Sequence, residues 1–232
     1  MSLAVIPARG GSKRIPGKNI KIFAGQPMIA YAITAALESG LFKHVIVTTD
    51  DAEIAAIARE WKAQTPFLRP PELAVDCTPT LPVVAHAINA CKELKWEFNL
   101  VCCIYPCVPF IQIDDLRNTA RVMRENEINF CFPVTEFASA VQRAMRRLPN
   151  GKMGLLYPKY ELTRTQDLEP TYHDVGQFYW GRADSWLTNE RILGNSIGMP
   201  IPSWRVVDID TPEDWERAEI FHKFMHGNCV EK

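Results

Sequence analysis

Three groups of residues in this chain have the types and spacing that chemistry needs. The first is PARGGSKRIPGKNIK over 7–21, where Arg9, Lys13, Arg14, Lys18 and Lys21 are interleaved with Gly10-Gly11 and Pro16-Gly17. No acid precedes Glu38, so the first 37 residues carry +5 in a chain whose net charge is −1. Glycines let backbone N–H groups approach phosphate oxygens, and the bases neutralise charge that no single donor could. Such a segregated block in a near-neutral protein points to a polyanionic ligand. Spacing excludes two common phosphate loops. Gly10 and Gly11 are adjacent, which is not G-x-G-x-x-G, and Lys18 is followed by Asn19 rather than by Ser or Thr.

The second group is Asp208 and Asp210 in Val206-Val207-Asp208-Ile209-Asp210. Read as a strand, the segment puts both carboxylates on one face and Ile209 in the core. Two close carboxylates repel unless a cation sits between them, and oxygen-only ligands suit Mg²⁺. A helix start at Thr211-Pro212-Glu213-Asp214 explains Thr211 and Asp214 but leaves Asp208 without a role. The third group is Arg69, Thr78 and Thr80. It reads either as a pyrimidine and ribose site or, for the threonines, as the start of a helix at Thr78-Pro79.

The elements that must hold these groups alternate. Leu3–Ile6 is a short apolar strand, and Ile29, Ile33 and Leu37 recur at helical spacing after Pro27. His44–Thr49 is a second strand, with Asp50-Asp51 capping a helix through Ile54, Ile57, Ala58 and Trp61. Further strands are expected over Asn99–Tyr105, Ile128–Val134 and Asp174–Trp180. Strand, loop, helix and strand in this order predict an α/β fold with ligands beyond the carboxyl ends of the strands. Residues 150–172 lack periodicity, which in a compact domain marks a functional segment or an interface.

Composition narrows the classes. The 232 residues, 47% hydrophobic, suit one sizeable domain. No apolar run approaches the roughly 18 residues of a membrane span, and no signal peptide is evident, so a cytoplasmic protein is expected. The near-neutral charge argues against nucleic-acid binding. Seven cysteines without C-x-x-C read as reduced thiols.

PARGGSKRIPGKN closely resembles the signature of the CMP-sialic acid synthetase family, the cytidylyltransferases that activate nine-carbon 2-keto sugar acids, and the resemblance runs from Leu3 to about Met225. It implies a Rossmann-like nucleotide-diphospho-sugar transferase fold. That is a mostly parallel mixed sheet flanked by helices in a single domain over 1–232, with a small protruding extension at about 136–175 that packs on a twin subunit. It implies CTP as co-substrate, Mg²⁺ on Asp208 and Asp210, and cytidine held by Arg69 and Thr80 with help from Asn19 and Thr78. Arg9 and Lys18 are then expected to stabilise the α-phosphate and the leaving group. Ser12, Lys13 and the Gly10 and Gly11 amides would take the β- and γ-phosphates.

Where sialic acid enzymes usually read Q-P-T-S-P-L-R, this chain reads Tyr105-Pro106-Cys107-Val108-Pro109-Phe110-Ile111, and H-D-x-G-Q-F-Y-W at 173–180 replaces N-G-A-x-Y. Both departures resemble the pseudaminic acid branch, whose product feeds surface glycan or flagellin glycosylation. Tyr105, Arg164, Asp174, Gln177 and Tyr179 are the expected sugar contacts. Within the class, sialic, legionaminic and 3-deoxy-manno-octulosonic acids are the rival substrates. A D-x-D glycosyltransferase is the rival from another class, and it leaves the basic loop without a triphosphate to bind.

Overall fold

The structure, a computed structural model, describes residues 1–188 and 191–226. Its frame is a seven-stranded mixed sheet. The strands are β1 (Ser2–Pro7), β4 (His44–Thr48), β5 (Leu100–Ile104), β6 (Phe130–Glu136), β9 (Tyr172–Asp174), β10 (Phe178–Arg182) and β11 (Ser196–Pro200). Ile22–Phe23 (β2) pairs with Gln26–Pro27 (β3), and Met145–Arg147 (β7) pairs with Met153–Leu155 (β8), each as a separate ribbon. The sheet order is β11-β6-β10-β5-β1-β4, with β9 on β6. β4, β1 and β5 are parallel, β11 is parallel to β6, and β10 runs antiparallel between β5 and β6.

Helices cover both faces because the strands are apolar on both sides. Along β1, Ala4 and Ile6 face one core, while Leu3 and Val5 face the other. The first core takes α1 (Met28–Ser39), α2 (Ala52–Glu60) and α4 (Ile113–Glu125) through Ile29, Ile33, Ile54, Ala58, Leu116 and Met123. The second takes α3 (Thr80–Glu93) and α5 (Ala183–Leu187) through Val84, Ile88, Cys91 and Trp186. A third, smaller cluster joins Ile15, Phe23, Met28, Phe110 and Ile209 to Trp215 and Ala218 of α6 (Pro212–His226). Burying one large apolar side chain contributes about 1.5–3 kcal/mol, so Ile15 and Ile209 are strong anchors for otherwise irregular loops.

Several local expectations change. Leu37 is 41% exposed, so the buried face of α1 is set by Ile29 and Ile33. Thr78 caps nothing: α3 starts at Thr80 behind Pro79. Asp174–Trp180 is two strands, because Gly176 has φ +61° and turns the chain between β9 and β10. Asn150-Gly151 is the turn of the β7–β8 ribbon. Val206–Asp210 joins no ladder. It follows a 3₁₀ turn at Ser203–Arg205, although Ile209 is buried as the alternation required.

Candidate active site

The carboxyl ends of β1, β4 and β5 meet at one edge, and the loops that leave them build a cavity of about 250 Å³. From β1 come Arg9, Ser12, Arg14, Lys18 and Asn19. Arg69, Asp76 and Thr78 arrive from the segment before α3, Thr80 from its first residue, Tyr105 from the end of β5, and Asp210 from the segment before α6. Chain order thus separates Lys18 from Asp210, and folding brings Lys18 Nζ to 2.8 Å from the Ile209 carbonyl and 3.4 Å from Asp210 Oδ1.

The basic loop holds its shape without regular hydrogen-bond ladders. Ile15 sinks into the third cluster, and Asn19, 4% exposed, donates from Nδ2 to the Arg9 carbonyl at 2.9 Å. Its Oδ1 accepts from the Cys107 thiol at 3.3 Å. Asn19 therefore closes the loop as well as lining the cavity. Gly10 donates its N–H to Asp50 Oδ1 at 3.1 Å, and a Cβ there would lie 2.6 Å from Asp51 Oδ2. That carboxylate is the cap of α2, accepting from the Glu53 and Ile54 amides. Gly11 has open space around it.

Four loop cations are matched by two carboxylates. Arg9 and Lys13 both pair with Asp76, while Arg14 reaches Asp210 Oδ2 at 3.0 Å and Lys18 takes Oδ1. Hydrogen bonds from Lys13 and then Arg9 hold the Asp76 carboxyl below the usual carboxylate range. Asp208 moves the other way. Desolvation, and then repulsion from Asp210, raise its pKa. Two adjacent acids with one disfavoured in its charged form are the setting in which a divalent ion is favourable. Their all-oxygen donor set suits Mg²⁺, with water and phosphate completing six ligands. Among the described residues no cluster of three or more His, Cys, Asp or Glu offers a competing metal site.

Arg69, 5% exposed, donates to Thr48 through Nε to the hydroxyl at 3.3 Å and through a terminal nitrogen to the carbonyl. It is thus a floor of the cavity fixed to the end of β4, its pKa lowered by burial. Thr80 Oγ1 and Tyr105 Oη share a hydrogen bond of 2.8 Å, and burial lifts the Tyr105 phenol to about 12.

The expected sugar contacts divide. Because β10 runs backwards, its start lies at the same edge, and the Gln177 carbonyl accepts from the Tyr105 amide at 2.8 Å. Gln177 and Tyr179 are nonetheless 5% and 7% exposed. Tyr179 donates its hydroxyl to Asp174, and Gln177 Nε2 donates to the Arg205 carbonyl at 3.4 Å. Asp174 lines a second cavity of about 570 Å³ with Phe132, Val134 and His173. Arg164 is exposed on the excursion that leaves β6 and returns at β9, outside both cavities. Lys13 is 80% exposed and reaches the site through Asp76. The fold adds Asp76, seven residues after Arg69 in the same segment, and the Asp115–Arg205 pair, which nothing in the order of residues links.

A basic glycine loop paired with Asp210 at the carboxyl edge of an α/β sheet, with Asp208 exposed two residues before it, defines a nucleotide-binding protein of the nucleotidyltransferase type. The sequence model of the family described as Cytidylyltransferase matches residues 3–148, and the chain belongs to that family. A pseudaminic acid cytidylyltransferase of Campylobacter jejuni is 38% identical over 229 residues, covering 98% of this chain and 99% of the relative. A CMP-N,N'-diacetyllegionaminic acid synthase of Legionella pneumophila is 31% identical over 231 residues, covering 94% of each. Among solved structures, CMP:2-keto-3-deoxy-manno-octonic acid synthetase complexed with CTP superposes with a TM-score of 0.71 at 18% identity, over 97% of this chain and 99% of that one. That likeness concerns the fold, a Rossmann-like nucleotidyltransferase fold.

Proposed function

We propose that the protein transfers CMP from CTP to the anomeric hydroxyl of pseudaminic acid, giving CMP-pseudaminic acid and pyrophosphate. The convergence of Arg9, Lys18 and Asp210 on one cavity carries this reading. The similarity to the Campylobacter enzyme over nearly the whole of both chains supports the choice of sugar.

The anomeric oxygen bonds to the α-phosphorus, the bond to the bridging oxygen breaks, and its electron pair leaves on pyrophosphate. The hydroxyl proton passes to solvent. Charge grows on the leaving group, so catalysis is mainly positioning and electrostatics. Lys18 and Arg9 face the α-phosphate and the departing oxygens. Ser12, Lys13 and the Gly10 and Gly11 amides take the outer phosphates. Arg69, Thr78, Thr80 and Asn19 hold the cytidine. Asp208 and Asp210 would hold Mg²⁺, which supplies neutralisation of the triphosphate when bound. Tyr105 and Asp174 would contact the sugar, with the buried Gln177 and Tyr179 behind them.

The excursion supplies the contact of a homodimer and carries Arg164 toward the partner's sugar site. Its exposed apolar residues, Leu162 at 95%, Met145 at 58% and Met153 at 54%, support this. No helix among the described residues is long and apolar enough to cross a membrane. The proposed use of CTP, rather than that absence, is what supports a cytoplasmic enzyme.

The test is pyrophosphate release from CTP with Mg²⁺ and a panel of pseudaminic, legionaminic, sialic and 3-deoxy-manno-octulosonic acids. Turnover is expected to be fastest with pseudaminic acid and absent with chelator. No release with any of these acids overturns the reading.

A further inference from the structure

We propose that the Asp115–Arg205 ion pair is a positioning device for the acidic segment, setting where Asp208 and Asp210 stand. The inference rests on the reading that those two carboxylates hold a divalent ion.

The segment has a problem to solve. Functional groups must be held to about 0.5 Å, and this is most readily done on helices and strands. Yet the last backbone hydrogen bond from this segment to the sheet is the Ile201 amide on the Val134 carbonyl at 2.8 Å, and α6 begins only at Pro212. Asp208 and Asp210 therefore stand on backbone that no ladder fixes.

Besides the Lys18 and Arg14 contacts to Ile209 and Asp210, attachments at the exit, the middle and the entry of the segment replace the ladder. At the exit, Asp214 Oδ2 accepts from the Asp210 and Thr211 amides at 3.2 and 2.9 Å. In the middle, the Ile209 side chain is 2% exposed in the third cluster. At the entry, the Arg205 fork grips Asp115 with Nη1 to Oδ2 at 2.6 Å and Nη2 to Oδ1 at 3.4 Å. Asp115 lies in the first turn of α4, which the first core holds rigidly through Leu116, Ala120 and Met123. The Arg205 carbonyl also accepts from Gln177.

The ion pair is well removed from solvent, with side-chain exposures of 13% and 17%. A two-pronged guanidinium–carboxylate contact fixes direction as well as distance, which a lysine cannot do. Only Val206 and Val207 lie between Arg205 and Asp208, so the fork anchors the backbone close to the first acid. Neither residue of the pair lines the cavity that holds Arg9, Lys18 and Asp210. The pair acts through the backbone, as residues behind metal ligands do, where substitution typically costs 10–100-fold in metal affinity.

The experiment measures Mn²⁺ binding to the CTP-free protein by electron paramagnetic resonance, alongside the Mg²⁺ dependence of turnover. Arg205→Gln and Asp115→Asn are expected to weaken Mn²⁺ about 10-fold and to raise the Mg²⁺ requirement equally. The KM for CTP at saturating Mg²⁺ should stay within about threefold. Arg205→Lys, keeping charge without the fork, should recover only part of the loss. Arg117→Gln is the stability control. Arg117 ties α4 to α1 through the Ser39 and Glu38 carbonyls, so its loss should lower Tm without moving the Mn²⁺ constant. Wild-type Mn²⁺ affinity in Arg205→Gln and Asp115→Asn, with Asp208→Asn and Asp210→Asn losing it, overturns this inference alone. Wild-type affinity in Asp208→Asn and Asp210→Asn overturns the metal reading, and the inference falls with it.

Discussion

Asp76 closes onto Arg9: its carboxylate accepts from the Arg9 guanidinium, and Lys13 completes the clasp from the other oxygen at 2.5 Å. The acid occupies a position that the proposed function assigns to phosphate oxygens. A triphosphate must replace it as the partner of both cations.

Removing the charge of Asp76 should favour that exchange. Asp76→Asn is expected to lower the KM for CTP a few-fold with little change in kcat, as measured by pyrophosphate release. A raised KM would show that Asp76 contacts the nucleotide favourably instead. The pH dependence has a defined sign. A carboxyl held below its ordinary value stabilises the fold fully above about pH 3.9, and that contribution is lost as pH falls through the folded-state pKa. In an NMR titration, CTP with Mg²⁺ should move the Asp76 pKa up towards the ordinary value as its partners turn to phosphate.

The two loop glycines should answer differently to alanine. In Gly10→Ala the new Cβ strikes the carboxylate that caps α2, so loss of the cap and local strain should cost about 1–2 kcal/mol in urea unfolding. Gly11→Ala meets nothing and should unfold at the wild-type midpoint. If phosphate approaches the Gly11 backbone closely, Gly11→Ala will still weaken CTP several-fold. Unchanged affinity would remove Gly11 from the triphosphate site.

Asp208→Asn should separate stability from catalysis. Ionised Asp208 is disfavoured by desolvation and by Asp210, a penalty that grows as pH rises through the carboxylate range. The group is solvent-accessible, so the relief is small: a rise of about 1–2 °C in the Tm of the metal-free protein at pH 7. That gain should vanish well below pH 4, while turnover at pH 7 falls at least a hundredfold. A lowered Tm would contradict the electrostatic account.

Thiol reactivity offers an independent check of the fold. Cys91, Cys102, Cys103 and Cys131 are buried, and Cys107 is half-buried with its pKa pushed up to about 12. Only thiolate reacts, so iodoacetamide at pH 8 should label exposed Cys77 rapidly and these five slowly, as read by peptide mass spectrometry. Saturating CTP should leave that pattern intact. Rapid labelling of Cys102 or Cys103 would mean that the central strand is not where the structure has it.

The amino-acid order by itself determined what is local. The apolar run at Leu3–Ile6, the Asp51 cap, the helix after Pro27 and the charge segregation of the first 37 residues follow from periodicity, side-chain chemistry and counting. The family resemblance was equally legible, because the residues of the basic glycine loop are contiguous. Tertiary structure alone decided what is distant. Lys18 meets the Ile209 carbonyl across 191 residues, and Arg205 grips Asp115 across 90. It also decided that Asp208 and Asp210 stand on an unpaired segment, since pairing depends on which strand edge is free, and the ladder of β11 ends at Pro200. Tyr179, polar in the sequence, is buried because β10 lies inside the sheet between β5 and β6, and Gln177 is buried at the entry to that strand. Alternation indicates which residues share a face, but the partner facing them is set by packing between elements far apart in the chain.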